Sequence, residues 1–105
     1  MSSEDLHLLR VYADVSAVRD GELYWKVLID RSRAMGLSNA AVSQVLDGFG
    51  PTALIHRAKA VDLAPGQHVI VEVVDTKAAL EAFHATLKTT DASGLVTLEA
   101  VSVVG

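Results

Sequence analysis

The sequence predicts an α+β domain: a four-stranded antiparallel sheet with two helices on one face, threaded β-α-β-β-α-β. Three observations carry that expectation. Four runs rich in valine, leucine and isoleucine have the length and composition of strands. Two intervening stretches repeat apolar residues at helical spacing. Right-handed crossovers through those helices then close the four strands into one sheet, the ferredoxin-like arrangement.

The first strand is Leu8-Leu9-Arg10-Val11-Tyr12-Ala13, whose near-continuous apolar character suits a central position. Asp20 is placed to cap the next helix, with Glu22 in its first turn. Tyr24, Trp25, Leu28, Ile29 and Met35 form its apolar stripe, with Ser32 a small contact among them and Lys26, Asp30 and Arg33 opposite. Gly36 ends the helix and Leu37 packs back on its last turn. The second strand is Ala41 to Leu46. The third, His68 to Asp75, is β-branched and follows Pro65-Gly66. Asp75 or Thr76 caps the second helix, with the stripe Leu80, Phe83 and Leu87. Gly94 opens the last strand, Leu95 to Val104. No helix remains to cover the other sheet face. Its valine and leucine content predicts self-association through it.

Residues 1–105 read as a single domain, with residues 1–6 a flexible N-terminus and residues 51–67 a long loop. The chain has no cysteine, which excludes disulfides, thiol catalysis and cysteine-based metal sites. A net charge of −4 lacks the basic footprint of a nucleic-acid binder, so no nucleic-acid partner is expected. The polar, acidic start Met1-Ser2-Ser3-Glu4-Asp5 does not read as a secretory signal, and no apolar run is long enough to span a bilayer. The expected location is the cytoplasm.

The chemistry-bearing pattern is Asp47-Gly48-Phe49-Gly50 after an apolar strand. Two glycines around an aromatic let the backbone turn sharply and approach a ligand. The segment Pro51 to Gln67 that follows is longer than an ordinary connection, as binding loops tend to be. His56, Arg57 and Lys59 within it have the chemistry of anion contacts, or of an ordinary solvated hairpin. The histidines His7, His56, His68 and His84 lie on separate elements without ligand spacing, so no metal site is expected. His84, beside Leu80 and Leu87, is expected to be packed and partly buried. No serine lies in a nucleophile elbow and no carboxylates pair, so the chain does not read as an enzyme. RNA-recognition modules and acylphosphatases share this strand order. The stacking aromatics of the first and the glycine-rich anion loop of the second are missing here.

Taken in order, several motifs resemble one family. They are Leu9-Arg10-Val11-Tyr12, Arg33-Ala34-Met35-Gly36-Leu37, Gly48-Phe49-Gly50, Ile55-His56-Arg57-Ala58-Lys59, Val71-Glu72-Val73-Val74-Asp75 and Gly94-Leu95-Val96-Thr97-Leu98-Glu99. That ordered set resembles the PII-like family catalogued as domain of unknown function 190, over about Leu6 to Val104. The resemblance implies a trimer like the PII nitrogen-regulatory proteins. In those, adenine nucleotides bind between subunits, and a long T-loop acts on a partner protein.

The resemblance places Gln44, Gly48, Phe49 and Gly50 at the loop base, and His56 and Lys59 in the family's own loop motif. It sets Thr89 and Thr90 in the phosphate-binding connection. That connection, Lys88 to Gly94, has threonines, an aspartate and one glycine where PII proteins have glycines and lysines. The loop has no tyrosine for uridylylation. The implied effector is an adenine nucleotide, ATP, ADP or AMP, with no tightly held cofactor. The implied partners are further copies in a homotrimer and a membrane transporter or channel of the fluoride-exporter type. The alternative is a copper-tolerance (CutA-like) metal-binding or purely structural trimer.

Overall fold

The computed structural model describes residues 5–44, 68–87 and 93–105. Strand β1 (Leu6–Asp14) lies between β5 (His68–Thr76) and β6 (Ser93–Ala100), and β4 (Asn39–Gln44) flanks β5. All three pairings are antiparallel, and the order β4-β5-β1-β6 is the ferredoxin-like one. Helices α1 (Tyr24–Ala34) and α2 (Lys77–Leu87) share one face.

Period-two alternation sorts the strands into two faces. Leu9, Val11 and Ala13 of β1 stand opposite Val73, Val71 and Val69 of β5, and all six are buried. Tyr24 and Leu28 of α1 and Leu80, Phe83 and Leu87 of α2 close over them as one core. Trp25 and Ile29 pack at its margin and buried Ser32 donates to the Ile29 carbonyl at 2.8 Å. Met35 falls at the helix end, where it is exposed.

The entry to α1 departs from the sequence expectation. Asp20 and Gly21 do not begin a helix; they form the turn of a small hairpin, β2 (Val18–Arg19) and β3 (Glu22–Leu23). Both have positive φ, 52° and 83°. That is the requirement of a two-residue type I′ turn, and Asp-Gly is among its preferred pairs. Glu22 is therefore in a strand, and α1 begins at Tyr24 with no side-chain cap. Instead the Tyr24 N–H donates to the Ala17 carbonyl at 2.8 Å. At the other end Gly36 has φ 75°. Its N–H reaches the Arg33 carbonyl, and that of Leu37 reaches Ser32, both at 3.1 Å, the double bond of a Schellman motif.

Strand boundaries also move: β1 begins at Leu6 rather than Leu8, β5 ends at Thr76 rather than Asp75 and β6 begins at Ser93 rather than Leu95. β4 begins at Asn39 rather than Ala41, and Val45 and Leu46 lie outside the described residues. β6 stops at Ala100 rather than Val104. Its partner β1 begins at Leu6, so the ladder ends with the Val101 N–H on the Leu6 carbonyl, and among the described residues no strand lies beside 102–105.

Asp75 ties the lower end together. Its carboxylate accepts the N–H and the hydroxyl of Ser38, both at 2.8 Å, and the N–H of Thr76 at 2.7 Å. Thr76, not Asp75, caps α2, its hydroxyl accepting the Ala79 N–H at 3.2 Å. Burial pushes the Asp75 carboxyl up, but the N–H groups of Thr76 and Ser38 and the hydroxyl bonds outweigh it and hold the carboxyl below its ordinary value. A depressed folded value means stability that is present above the unfolded value, about 4. That stability is lost as pH falls through the folded value. Asp75→Asn should therefore lower the melting temperature at pH 7 and flatten its decline below about pH 4. Melts of both proteins across pH 7 to 2 check this; parallel curves would contradict it.

Candidate functional site

The register brings the strand ends that flank residues 45–67 and 88–92 to one end of the sheet. Asp14, the last residue of β1, stands opposite His68, the first of β5. Gln44, the last of β4, stands opposite Val69, and Ser93, the first of β6, opposite Ala13. Gln44, His68 and Ser93, which flank residues 45–67 and 88–92, thus stand at a common rim. The C-terminus of α2 arrives there as well, since Leu87 precedes the second of these connections.

Of the residues proposed from the sequence, Gln44 is described: it is exposed at the end of β4. Gly48, Phe49, Gly50, His56, Lys59, Thr89 and Thr90 lie outside the described residues. The described strand ends on either side of those segments lie at one end of the sheet.

Side chains from elsewhere in the sequence join them. At the end of β1, the Asp14 carboxylate accepts the Ser16 N–H at 2.8 Å and its hydroxyl at 2.6 Å, and the Asp14 carbonyl takes the Ala17 N–H. This turn delivers the β2–β3 hairpin to the C-terminal end of α2. There Arg19 donates through Nη1 to the Leu87 carbonyl, and Arg31 of α1 donates through Nη1 to the Thr86 carbonyl at 2.9 Å. Both arginines satisfy carbonyls that a helix end leaves open. Sequence reasoning did not find this pair, because its members meet only through the packing of the hairpin and α1 against α2. The Asp20-Gly21 dipeptide was the one local signal for it.

A separate concavity of about 320 Å³ lies between α2 and β6, lined by Leu9, Leu80, Glu81, His84, Val96 and Leu98. His84 is exposed on its rim rather than packed and partly buried as expected. The reason is that α2 sits over β5 and β1 and leaves the flank toward edge strand β6 open, which also exposes Leu98.

On the opposite sheet face, Leu8, Tyr12, Ile70, Val74 and Leu95 are half-buried around Arg10. Arg10 bridges three strands, donating through Nε to Glu72 at 2.9 Å and through Nη1 to Glu99. Those bonds to Glu72 and Glu99 hold its guanidinium more firmly charged than usual. Among the described residues no three His, Asp or Glu side chains converge as a metal site, and no helix is long and apolar enough to cross a membrane.

The family model for domain of unknown function 190, described as an uncharacterised ACR, matches residues 6–103. The chain belongs to the domain of unknown function 190 family. A UPF0166 protein of Aquifex aeolicus (strain VF5) is 31% identical over 97 residues, covering 92% of this chain and 91% of that one. Among solved structures, a PII-like signalling protein from Thermus thermophilus aligns with a TM-score of 0.60 at 18% identity, covering 94% of this chain and 89% of that one. The GlnK–ATP complex of B. subtilis aligns with a TM-score of 0.56 at 14% identity, over 96% of this chain and 87% of that one. At these identities the structural likeness shows the fold: a PII-like, ferredoxin-type domain.

Proposed function

We propose that this DUF190 protein is a PII-like, non-enzymatic regulator that binds a small effector at clefts between subunits and acts on a partner protein through residues 51–67. The observation that carries this reading is that the strand ends flanking residues 45–67 and 88–92 lie at one end of a PII-like sheet. The similarity to a GlnK–ATP complex supports an adenine nucleotide, ATP, ADP or AMP, as effector. Gln44, Gly48, Phe49 and Gly50 would form the loop base. His56 and Lys59 would lie in the loop, and Thr89 and Thr90 in the second connection. Effector binding would shift the population of loop conformations offered to the partner. A fluoride-exporter-type channel is the partner class we propose to test first, in a cytoplasmic setting.

Assembly is the other half of the reading. A homotrimer would bury the uncovered sheet face, whose half-buried apolar side chains surround the Arg10–Glu72–Glu99 cluster. Four strands about 4.8 Å apart and some eight residues long present about 500 Å² of flat footprint. Once relief is added, that approaches the roughly 800 Å² per partner of a standard interface. Tyr12→Glu, which places a carboxylate among Ile70 and Leu95, should convert the trimer to monomer in light scattering. A trimer that survives the substitution would contradict assembly through this face.

Effector binding has its own test. A nucleotide held at about a hundred times its dissociation constant adds about 2.7 kcal/mol of stability, on the order of 10 °C for a domain of this size. Gly50→Val should abolish that shift while leaving the melting temperature without nucleotide nearly unchanged. No shift with ATP, ADP or AMP would overturn the nucleotide assignment.

A further inference from the structure

We propose that Arg19 and Arg31 form an anion subsite at the C-terminal end of α2 that takes the phosphate groups of a small-molecule ligand. The proposal rests on the effector-binding reading and names the chemistry of that effector's charged part. Arg19 reaches the spot from the β2–β3 hairpin and Arg31 from α1, and their guanidinium groups bond to the successive carbonyls of Leu87 and Thr86. Those residues differ by a rise of about 1.5 Å along the helix. Two full positive charges are thereby gathered at one helix end.

Among the described residues no carboxylate neutralises them. Among the described residues neither arginine forms an ion pair with a carboxylate, although Glu22 stands opposite Arg19 in the hairpin register. This is unusual in a chain where 13 acidic residues outnumber 9 basic ones. The end of a helix offers about half a negative charge in compensation, so among the described residues the cluster stays positive. Capping does not require this much charge, because a carbonyl needs only a donor and one cation near a helix end is already favourable.

The free valences have the right shape for phosphate. Among the described residues each guanidinium spends one N–H of five on its carbonyl, and both side chains are half-buried rather than fully solvated. The planar fork of arginine matches pairs of phosphate oxygens. Two forks anchored on one helix end suit a ligand with two or more phosphate charges better than a single carboxylate. Their place at the rim, beside the end of β1, sets the subsite where effector binding is proposed.

Isothermal titration of the full chain with ATP, inorganic pyrophosphate and adenosine tests the assignment. ATP and pyrophosphate should bind, more weakly as salt rises, and adenosine should bind at least tenfold more weakly than ATP. Arg19→Gln and Arg31→Gln should each weaken both phosphate ligands at least tenfold. Arg33→Gln, a change at an exposed position on the same helix, should leave the dissociation constants within twofold. If a glutamine variant does not fold, Arg19→Lys and Arg31→Lys decide the matter. They keep the charge but lose the fork, and should weaken pyrophosphate at least threefold. ATP binding that is unchanged in the arginine variants would overturn the subsite and leave the effector reading standing. Binding of adenosine as tight as ATP, or no binding of either phosphate ligand to the wild type, would also overturn the subsite. The Tyr12→Glu assembly test is independent of both results.

Discussion

The antiparallel pairing of β1 with β5 on one side and β6 on the other is the constraint on which the rest of the structure depends. It fixes which residues face the helices, because each register position alternates between core and open face. It also fixes where the connections emerge. With Asp14 opposite His68 and Ala13 opposite Ser93, the starts of β5 and β6 have to lie at the same rim, beside the end of β1. A slip of one residue would turn Val71 and Val73 outward and bring Glu72 into the core, so burial itself enforces the register.

The two ends of the sheet are built differently. At one, Asp75 gathers donors from Ser38 and Thr76 and locks the entry to β4 against the start of α2. Its interactions are satisfied inward and leave little to offer a ligand. At the other, Arg19 and Arg31 bring charge to the end of α2 without a carboxylate among the described residues to meet it. The closed end supplies rigidity and the charged end has spare hydrogen-bonding capacity. The open sheet face adds a third feature, an apolar surround with the Arg10 cluster at its centre. A site at the rim and assembly through the face are compatible, because they use different surfaces.

Much of this architecture was legible in the sequence, for local reasons. The strands β1 and β5 and both helices follow from period-two and helical repetition, and Gly36 and Thr76 act at the helix ends by their own backbone and side-chain chemistry. The Asp20-Gly21 hairpin was misread because an aspartate before an apolar stripe also fits a helix cap. Two positive φ values decided between them, a conformation the Asp-Gly pair favours and a helix cap does not need. The end of β6 was misplaced because Val101, Val103 and Val104 keep a strand-like composition after their partner strand has ended. His84 was misplaced because α2 shifts toward β5, a tertiary fact invisible to its neighbours in sequence. The meeting of Arg19 with Arg31 was hidden for the same reason. Of the sequence-derived site, Gln44 is the last residue of β4, and the glycine, phenylalanine, histidine, lysine and threonine candidates lie outside the described residues.

The central claim is that the rim shared by the two connections is where a ligand is read. Amide chemical-shift mapping on the full chain with ATP tests it most directly. The account predicts the largest changes at Asp14, Arg19, Gln44, His68 and Leu87, with Ser38, Asp75 and Thr76 at the opposite end unmoved. Changes concentrated instead around Glu81, His84 and Leu98 would place the ligand in the α2–β6 concavity and contradict the account.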